Sequence, residues 1–135
     1  MRMLMRSFFV SFAAMALACG GAAAAQKGDD KAYTLEDYKV TTAGDLYDIC
    51  TVDESHANRY EAQSFCYGFL AGGKAYHDTV ATAADFRAIV CPPPNATRAE
   101  AITIFVGYID AHPEARQGPP MDTLIRALAT RWHCK

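Results

Sequence analysis

Four cysteines late in the chain constrain its fold more than any other feature of the sequence. They are Cys50, Cys66, Cys91 and Cys134, and Cys19 lies apart from them near the start. In a small domain that reaches an oxidising compartment, four cysteines are typical of two disulfides, for which three connectivities are possible. A zinc site is the alternative, but there is no Cys-x-x-Cys pair and the spacings of 16, 25 and 43 residues are wide for one. The pattern therefore predicts two disulfides, and this prediction requires that the protein is exported.

The first 25 residues have the pattern of a secretory signal peptide. Arg2 and Arg6 form a basic n-region, residues 7–18 are apolar, and three alanines before Gln26 fit a cleavage site. The apolar run is shorter than the roughly 20 residues that a transmembrane helix needs. We therefore expect a periplasmic protein that is soluble after cleavage. A retained membrane anchor is one alternative, and lipidation of Cys19 in the lipobox-like "ALAC" is another.

Cleavage after residue 25 would leave 110 of the 135 residues, which is one small domain. We expect a partly flexible N-terminal extension over residues 26–41 and a helical domain over residues 42–135. Of the 13 basic residues, Arg2 and Arg6 leave with the signal peptide, so 11 remain against 15 acidic ones, a net charge of −4. No basic stripe remains to displace counterions from phosphates, which argues against a nucleic-acid partner.

The stretch "GFLAGGKA" resembles a phosphate-binding loop, but its surroundings predict a helix. No strand precedes it, and Ala75 lacks the hydroxyl that would hold Mg²⁺. Apolar or small residues continue through it at helical spacing, namely Ala62, Phe65, Cys66, Phe69, Leu70, Gly73 and Tyr76. Gly68, Gly72 and Gly73 each cost a helix up to about 1 kcal/mol relative to Ala, so we expect the close approach of another helix backbone or a bulky ring to offset that cost.

Capping signals divide the rest of the chain into helices. A cap residue precedes an acidic residue by three positions in four pairs: Thr42 and Asp45, Asn58 and Glu61, Thr82 and Asp85, and Thr97 and Glu100. The prolines at residues 92–94 separate the last two of these helices. A final helix carries the apolar stripe Met121, Leu124, Ile125, Leu128 and Trp132. Four to five helices with short connections predict an all-α, disulfide-braced bundle.

Antiparallel packing of successive helices would bring all four late cysteines to one end of this bundle. Cys50 would end one helix and Cys66 would lie early in the next, whereas Cys91 and Cys134 would flank the last two. Of the three connectivities, this placement favours Cys66–Cys91 and Cys50–Cys134.

No group of residues predicts catalysis. None of the histidines, His56, His77, His112 and His133, accompanies a nucleophile motif, so we assign them structural or surface roles. His112 and Glu114 could form a metal pair, although a helix stop at the intervening proline is the favoured interpretation. We therefore predict no catalytic, cofactor-binding or metal-binding residues, and no enzyme.

The ordered set of motifs resembles the Rap/Tai immunity-protein family, which are small periplasmic helical proteins of Gram-negative bacteria. The motifs are "FCYGFLAG", "VCPPP", "FVGYIDAHPE" and "LIRALATRWHC", over roughly residues 45 to 134. The closing "WHC" departs slightly from the family's pattern. The resemblance assigns family-motif structural roles to Tyr67, Gly68, Gly72, Pro92, Pro113 and Trp132.

The resemblance implies an immunity protein that binds a peptidoglycan amidase effector of type VI secretion, often as a homodimer. Such proteins block the effector's active-site cleft with an inserted loop. Here "AHPEARQGPP" is the candidate partner-binding loop, because prolines stiffen it and it carries His112, Glu114, Arg116 and Gln117. An ordinary interhelical turn is the alternative interpretation of this stretch.

Two other functions stay open at this point. One is a periplasmic acid-stress chaperone of the HdeA type, which is also small, helical and disulfide-bonded. The other is an enzyme that uses Cys and His, which would require a free thiol in the mature protein.

Overall fold

A computed structural model describes residues 34–83 and 85–135. The predicted signal peptide, Cys19 and the first part of the N-terminal extension, residues 26–33, lie outside the described residues. Within the described ranges, no helix combines the length and the apolar character that crossing a bilayer requires.

The described chain forms helices and no strand, apart from one isolated antiparallel bridge between Val90 and His133. The α-helices are α1 (Ala43–Cys50), α2 (Arg59–Val80), α3 (Arg98–Ala111) and α4 (Pro120–Arg131), and 3₁₀ helices cover Leu35–Lys39 and Pro113–Gln117. The predicted all-α, disulfide-braced bundle of four to five helices is confirmed.

Local capping explains where two of the helices begin. The Thr42 hydroxyl accepts a hydrogen bond from the Asp45 N–H at 3.2 Å, while the Asp45 carboxylate accepts one from the Thr42 N–H at 2.9 Å. The Thr97 hydroxyl likewise accepts from the Glu100 N–H at 3.1 Å. These bonds satisfy N–H groups that have no partner within the helix, and the predicted caps at Thr42 and Thr97 are therefore confirmed. Asn58 directly precedes α2, but its side chain makes no capping hydrogen bond, so the cap predicted there was wrong.

The helix predicted after Thr82 is absent, and that prediction was wrong. The Thr82 hydroxyl donates to the Thr79 carbonyl at 2.7 Å, so it belongs to the end of α2 and does not cap a new helix. Further on, the Cys91 N–H donates to the Trp132 carbonyl at 2.7 Å and the Cys134 N–H donates to the Ile89 carbonyl at 3.3 Å. The backbone of residues 89–91 is therefore used in bonds to the end of α4.

Helix α2 runs without a break through the glycine-rich stretch, as predicted. Gly73 is buried, and a Cβ atom built on it would lie 2.8 Å from the Met121 sulfur, so the Met121 side chain of α4 packs against α2 there. Gly68 and Gly72 are exposed and nothing lies within 4 Å of their Cβ positions. The expected helix backbone or bulky ring was therefore wrong for all three glycines, and only Gly73 has a close neighbour, which is a flexible side chain.

The core forms around α1, which contacts α2, α3, α4 and both 3₁₀ helices. The largest fully buried side chains come from all four α-helices and are Phe105, Leu46, Ile49, Ile109, Leu124 and Cys66. Each such apolar side chain contributes about 1.5–3 kcal/mol when it is removed from water. Burial of this set therefore fixes the arrangement of the four helices around α1.

The two disulfides join Cys50 to Cys66 and Cys91 to Cys134, so the predicted pairing was wrong although all four cysteines pair. Only residues 51–58 separate α1 from α2, which brings the Cα atoms of Cys50 and Cys66 to 5.3 Å. Residues 89–91 run beside the end of α4, which brings the Cα atoms of Cys91 and Cys134 to 5.0 Å. Both separations lie in the range that a disulfide can span.

We expect the disulfide that closes the longer loop, Cys91–Cys134, to contribute more to the free energy of unfolding. Replacing Cys91 and Cys134 by Ser should lower the free energy of unfolding by about 4 kcal/mol, because the closed loop spans 43 residues. The same change at Cys50 and Cys66, which span 16 residues, should cost about 3 kcal/mol. Urea unfolding of the mature protein measures both values. Mass spectrometry of an unreduced digest checks the pairing, and a Cys50–Cys134 cross-linked peptide would contradict it.

We also expect the exposed glycines of α2 to tolerate a methyl group. Gly68→Ala should raise the free energy of unfolding by up to about 1 kcal/mol, because Ala favours the helix and the added Cβ meets open space. Gly73→Ala should gain less, because the Met121 side chain has to move. Thermal unfolding of the two variants provides the comparison, and an equal gain in both would rule out the close packing at Gly73.

Candidate functional site

The predicted partner-binding loop forms a short rigid segment, residues 112–118, between α3 and α4. Helix α3 ends where the His112 N–H bonds the Tyr108 carbonyl at 2.9 Å, since Pro113 has no N–H with which to continue it. The 3₁₀ helix Pro113–Gln117 follows, and the Gly118 N–H closes it on the Ala115 carbonyl at 3.0 Å. The segment therefore has its own regular hydrogen bonding.

Three of the four residues predicted to bind a partner are exposed on this segment: His112, Glu114 and Gln117. The Nδ1 atom of His112 lies 3.5 Å from a carboxylate oxygen of Glu114, and the two side chains are 51% and 78% exposed. The His112 ring also packs on Tyr108, with 4.7 Å between ring centroids. The segment thus presents a donor and acceptor set to solvent.

Arg116, the fourth predicted residue, points instead toward the protein. Its guanidinium donates to both carboxylate oxygens of Asp48, at 2.8 and 2.7 Å, and lies 4.7 Å from the centroid of the Tyr47 ring. Both partners belong to α1. Both bonds come from the Nη2 atom, and an Arg–carboxylate ion pair beside an aromatic ring fixes position as well as charge. Arg116 therefore anchors the segment to α1.

Tyr47 extends the anchor to α3. It is only 7% exposed, and its hydroxyl donates to a carboxylate oxygen of Asp110 at 2.6 Å. This hydrogen bond is the main reason that the Tyr47 pKa is raised above its ordinary value of 10.0, and burial of the ring adds to the shift. The neutral phenol therefore suits the folded protein better than the phenolate.

Backbone contacts complete the attachment. The Ala43 N–H donates to the Gly118 carbonyl at 2.9 Å, at the first residue of α1. A Cβ atom at Gly44 would lie 3.2 Å from the Arg116 carbonyl oxygen, so a glycine there lets the segment approach the helix closely. Side-chain and backbone contacts together hold the whole segment against α1 and leave its outer face open.

Sequence reasoning missed three members of this cluster: Tyr47, Asp48 and Asp110. Their partners lie 63 and 68 residues away along the chain, so no local spacing connects them. Within the described residues there is also no group of three or more side chains arranged to hold a metal ion. All four cysteines there are in disulfides and offer no thiol nucleophile.

The remaining motif residues lie away from this segment. Trp132 is buried at the end of α4, and Pro92 is half-buried in the connection before α3. The Tyr67 ring on α2 lies 5.6 Å from the guanidinium of Arg98. His77 is also buried, and its Nε2 atom accepts hydrogen bonds from the Ile89 and Val90 N–H groups at 3.2 and 3.3 Å. His77 therefore has the structural role that the sequence predicted.

Comparison with protein families gives a match to the sequence model of the Rap1a immunity proteins. It covers residues 42–134, which span α1 to α4 and both disulfides. No curated protein and no solved structure matches the chain.

The anchor predicts a specific effect of alkaline pH. Because the pKa of Tyr47 is raised in the folded protein, its contribution is fully present below pH 10.0 and is lost as the pH rises through the folded pKa. Tyr47→Phe should lower the free energy of unfolding by about 1 kcal/mol at pH 7. That difference from the wild type should shrink above pH 10.0.

Urea unfolding between pH 7 and 11 measures this difference. Tyr76→Phe is the matched control, because the Tyr76 side chain is 67% exposed on α2. A difference between the wild type and Tyr47→Phe that stays constant over this pH range would mean that folding does not raise the pKa of Tyr47.

Proposed function

The chain belongs to the Rap1a immunity protein family, and from that premise we propose that its target is a peptidoglycan amidase effector delivered by type VI secretion. The family supports the general role of an immunity protein, which acts by binding a cognate effector. We further propose that inhibition is steric: the segment of residues 112–118 enters the active-site cleft of the amidase and excludes its substrate.

One observation supports this choice of surface above the others, namely the anchoring of the segment through Arg116. A segment that must enter a cleft loses conformational freedom on binding unless it is already ordered. The ion pair to Asp48 and the backbone bond between Gly118 and Ala43 supply that order in advance. His112, Glu114 and Gln117 are then held in one geometry, ready to hydrogen-bond groups in the cleft.

The proposal places the protein in the periplasm, where the cell-wall substrate of an amidase lies. The signal-peptide pattern of residues 1–25 provides the route, and two disulfides suit an oxidising compartment. Homodimer formation, which the resemblance to the family implies, is part of the same proposal.

The proposal predicts that Glu114→Lys weakens inhibition of the effector. A central interface side chain typically contributes 2 kcal/mol or more, so Kd should rise about 30-fold or more. Glu54→Lys is the matched control, because the Glu54 side chain is 96% exposed in the connection between α1 and α2 and its carboxylate lies 3.9 Å from Arg59. The shorter bond from Arg59 goes to the Glu54 backbone carbonyl, which the substitution keeps. The control should inhibit like the wild type.

Release of muropeptides from purified peptidoglycan, followed by chromatography, measures inhibition. The mature protein is assayed against a panel of cell-wall amidases that includes any amidase encoded beside its own gene. If the protein inhibits no amidase of the panel, the proposed amidase target is refuted. Inhibition that Glu114→Lys leaves unchanged would instead mean that another surface enters the cleft.

A further inference from the structure

A second concave surface is a groove of about 880 Å³ between the second half of α2, the proline-rich connection before α3, and α4. Arg98, the first residue of α3, lines the groove, whereas His112 follows the last residue of α3. The 14 residues of α3 place Arg98 about 20 Å from His112, while Leu124 and Ile125 near the start of α4 line the other part of the groove. The Arg98 end of the groove therefore lies away from the segment proposed to enter the amidase cleft.

The interior of the groove is apolar. Buried or half-buried side chains from four parts of the chain line it, namely Leu70, Val90, Ala101, Leu124, Leu128 and Trp132. A volume of this size lies within the range of about 300–1,000 Å³ that is typical of ligand sites. An apolar interior with few polar groups is likewise typical of such sites.

The groove is elongated and open at the surface. On α2, the lining residues Ala71, Lys74, Ala75 and Asp78 are all exposed and recur at helical spacing, so they form one continuous rim. The lining continues on this side from Leu70 to Ala81, which corresponds to a wall about 17 Å long. About five residues of extended peptide fit along such a wall.

The charge of the lining is positive. Lys74 forms an ion pair with Asp78, so these two side chains neutralise each other. Arg98 lines the groove without any carboxylate partner among residues 34–83 and 85–135. Its place in the first turn of α3 is unfavourable for a cation, because the N-terminal end of a helix is itself positive. A contribution to helix stability therefore does not explain why an arginine occupies this position. The groove lining carries a net positive charge, whereas the chain as a whole has a net charge of −2.

We propose that this groove binds an extended segment of a partner protein that combines apolar side chains with an acidic residue. The apolar side chains occupy the interior between α2 and α4. The carboxylate of the partner pairs with the guanidinium of Arg98. The Cζ atom of this guanidinium lies 5.6 Å from the centroid of the Tyr67 ring, which helps to position it. The protein thus has two binding surfaces, one at each end of α3.

The groove contains its own spectroscopic reporter. Trp132 is the single tryptophan of the chain, it lines the groove, and it is 8% exposed. Its fluorescence therefore reports occupancy of this surface, and peptides bound at residues 112–118 leave that signal unchanged.

The test starts from selection of peptides on the mature, oxidised protein. A phage library of random nonapeptides is panned, and the enriched sequences are synthesised and titrated while Trp132 fluorescence is followed. We expect enriched peptides that pair Leu, Ile, Val, Phe or Trp with at least one Asp or Glu. Arg98→Glu should raise their Kd at least tenfold. Arg87→Glu is the matched control, because Arg87 is exposed near the groove but outside its lining, and it should change Kd less than twofold.

Several outcomes would overturn the proposal. One is the absence of enriched peptides, and another is enrichment of peptides without acidic residues. Peptides that bind without changing Trp132 fluorescence, or that bind Arg98→Glu as well as the wild type, would locate binding elsewhere. Dodecanoate is titrated in parallel, and tighter binding of this fatty acid than of any enriched peptide would assign the groove to a lipid. Circular dichroism confirms that each variant is folded.

Discussion

Helix α1 is only eight residues long, and a helix of that length is unstable in water unless tertiary contacts hold it. In this protein those contacts come from every side. Leu46 and Ile49 are fully buried among the other helices, Cys50 is covalently joined to α2, and Asp48 pairs with Arg116. The rest of the bundle packs around α1, and α1 is helical only because the rest of the bundle contacts it. Folding of α1 and assembly of the bundle are consequently one cooperative event.

Helix α1 also links the stability of the core to the order of residues 112–118, the segment that we propose to bind the partner. Because residues 112–118 attach to α1 through Arg116 and through the Gly118 carbonyl, the order of the exposed segment is established when the core forms. Tyr47 strengthens the link, since its ring supports Arg116 while its hydroxyl reaches Asp110 on α3. In the proposed inhibition this arrangement is favourable, because binding then requires little further ordering of the segment. The segment that we propose to meet the partner is held by the same helix around which the core packs.

Sequence reasoning succeeded where a structural feature depends on neighbours along the chain. The Thr42 cap and the uninterrupted α2 follow from spacings of three and four residues, and both were predicted. It failed where distant residues decide. The disulfide partners of Cys91 and Cys50 depend on the path of the chain just before Cys91. There the Ile89 and Val90 N–H groups donate to the His77 ring, and the Cys91 N–H donates to the Trp132 carbonyl. Arg116 was recognised as part of the candidate site, but its anchoring role depends on Asp48, 68 residues away.

The two disulfides close two covalent rings, residues 50–66 and 91–134, and neither ring contains residues 67–90. A peptide bond cut inside a ring leaves the polypeptide joined through sulfur. A cut in the exposed turn after α2, by contrast, divides the protein into two pieces that only non-covalent packing holds together. After such a cut, both of the proposed binding surfaces depend on non-covalent packing alone. The covalent integrity of the molecule therefore depends on this turn, where the Thr82 hydroxyl and the His77 ring hold the chain close to the end of α2.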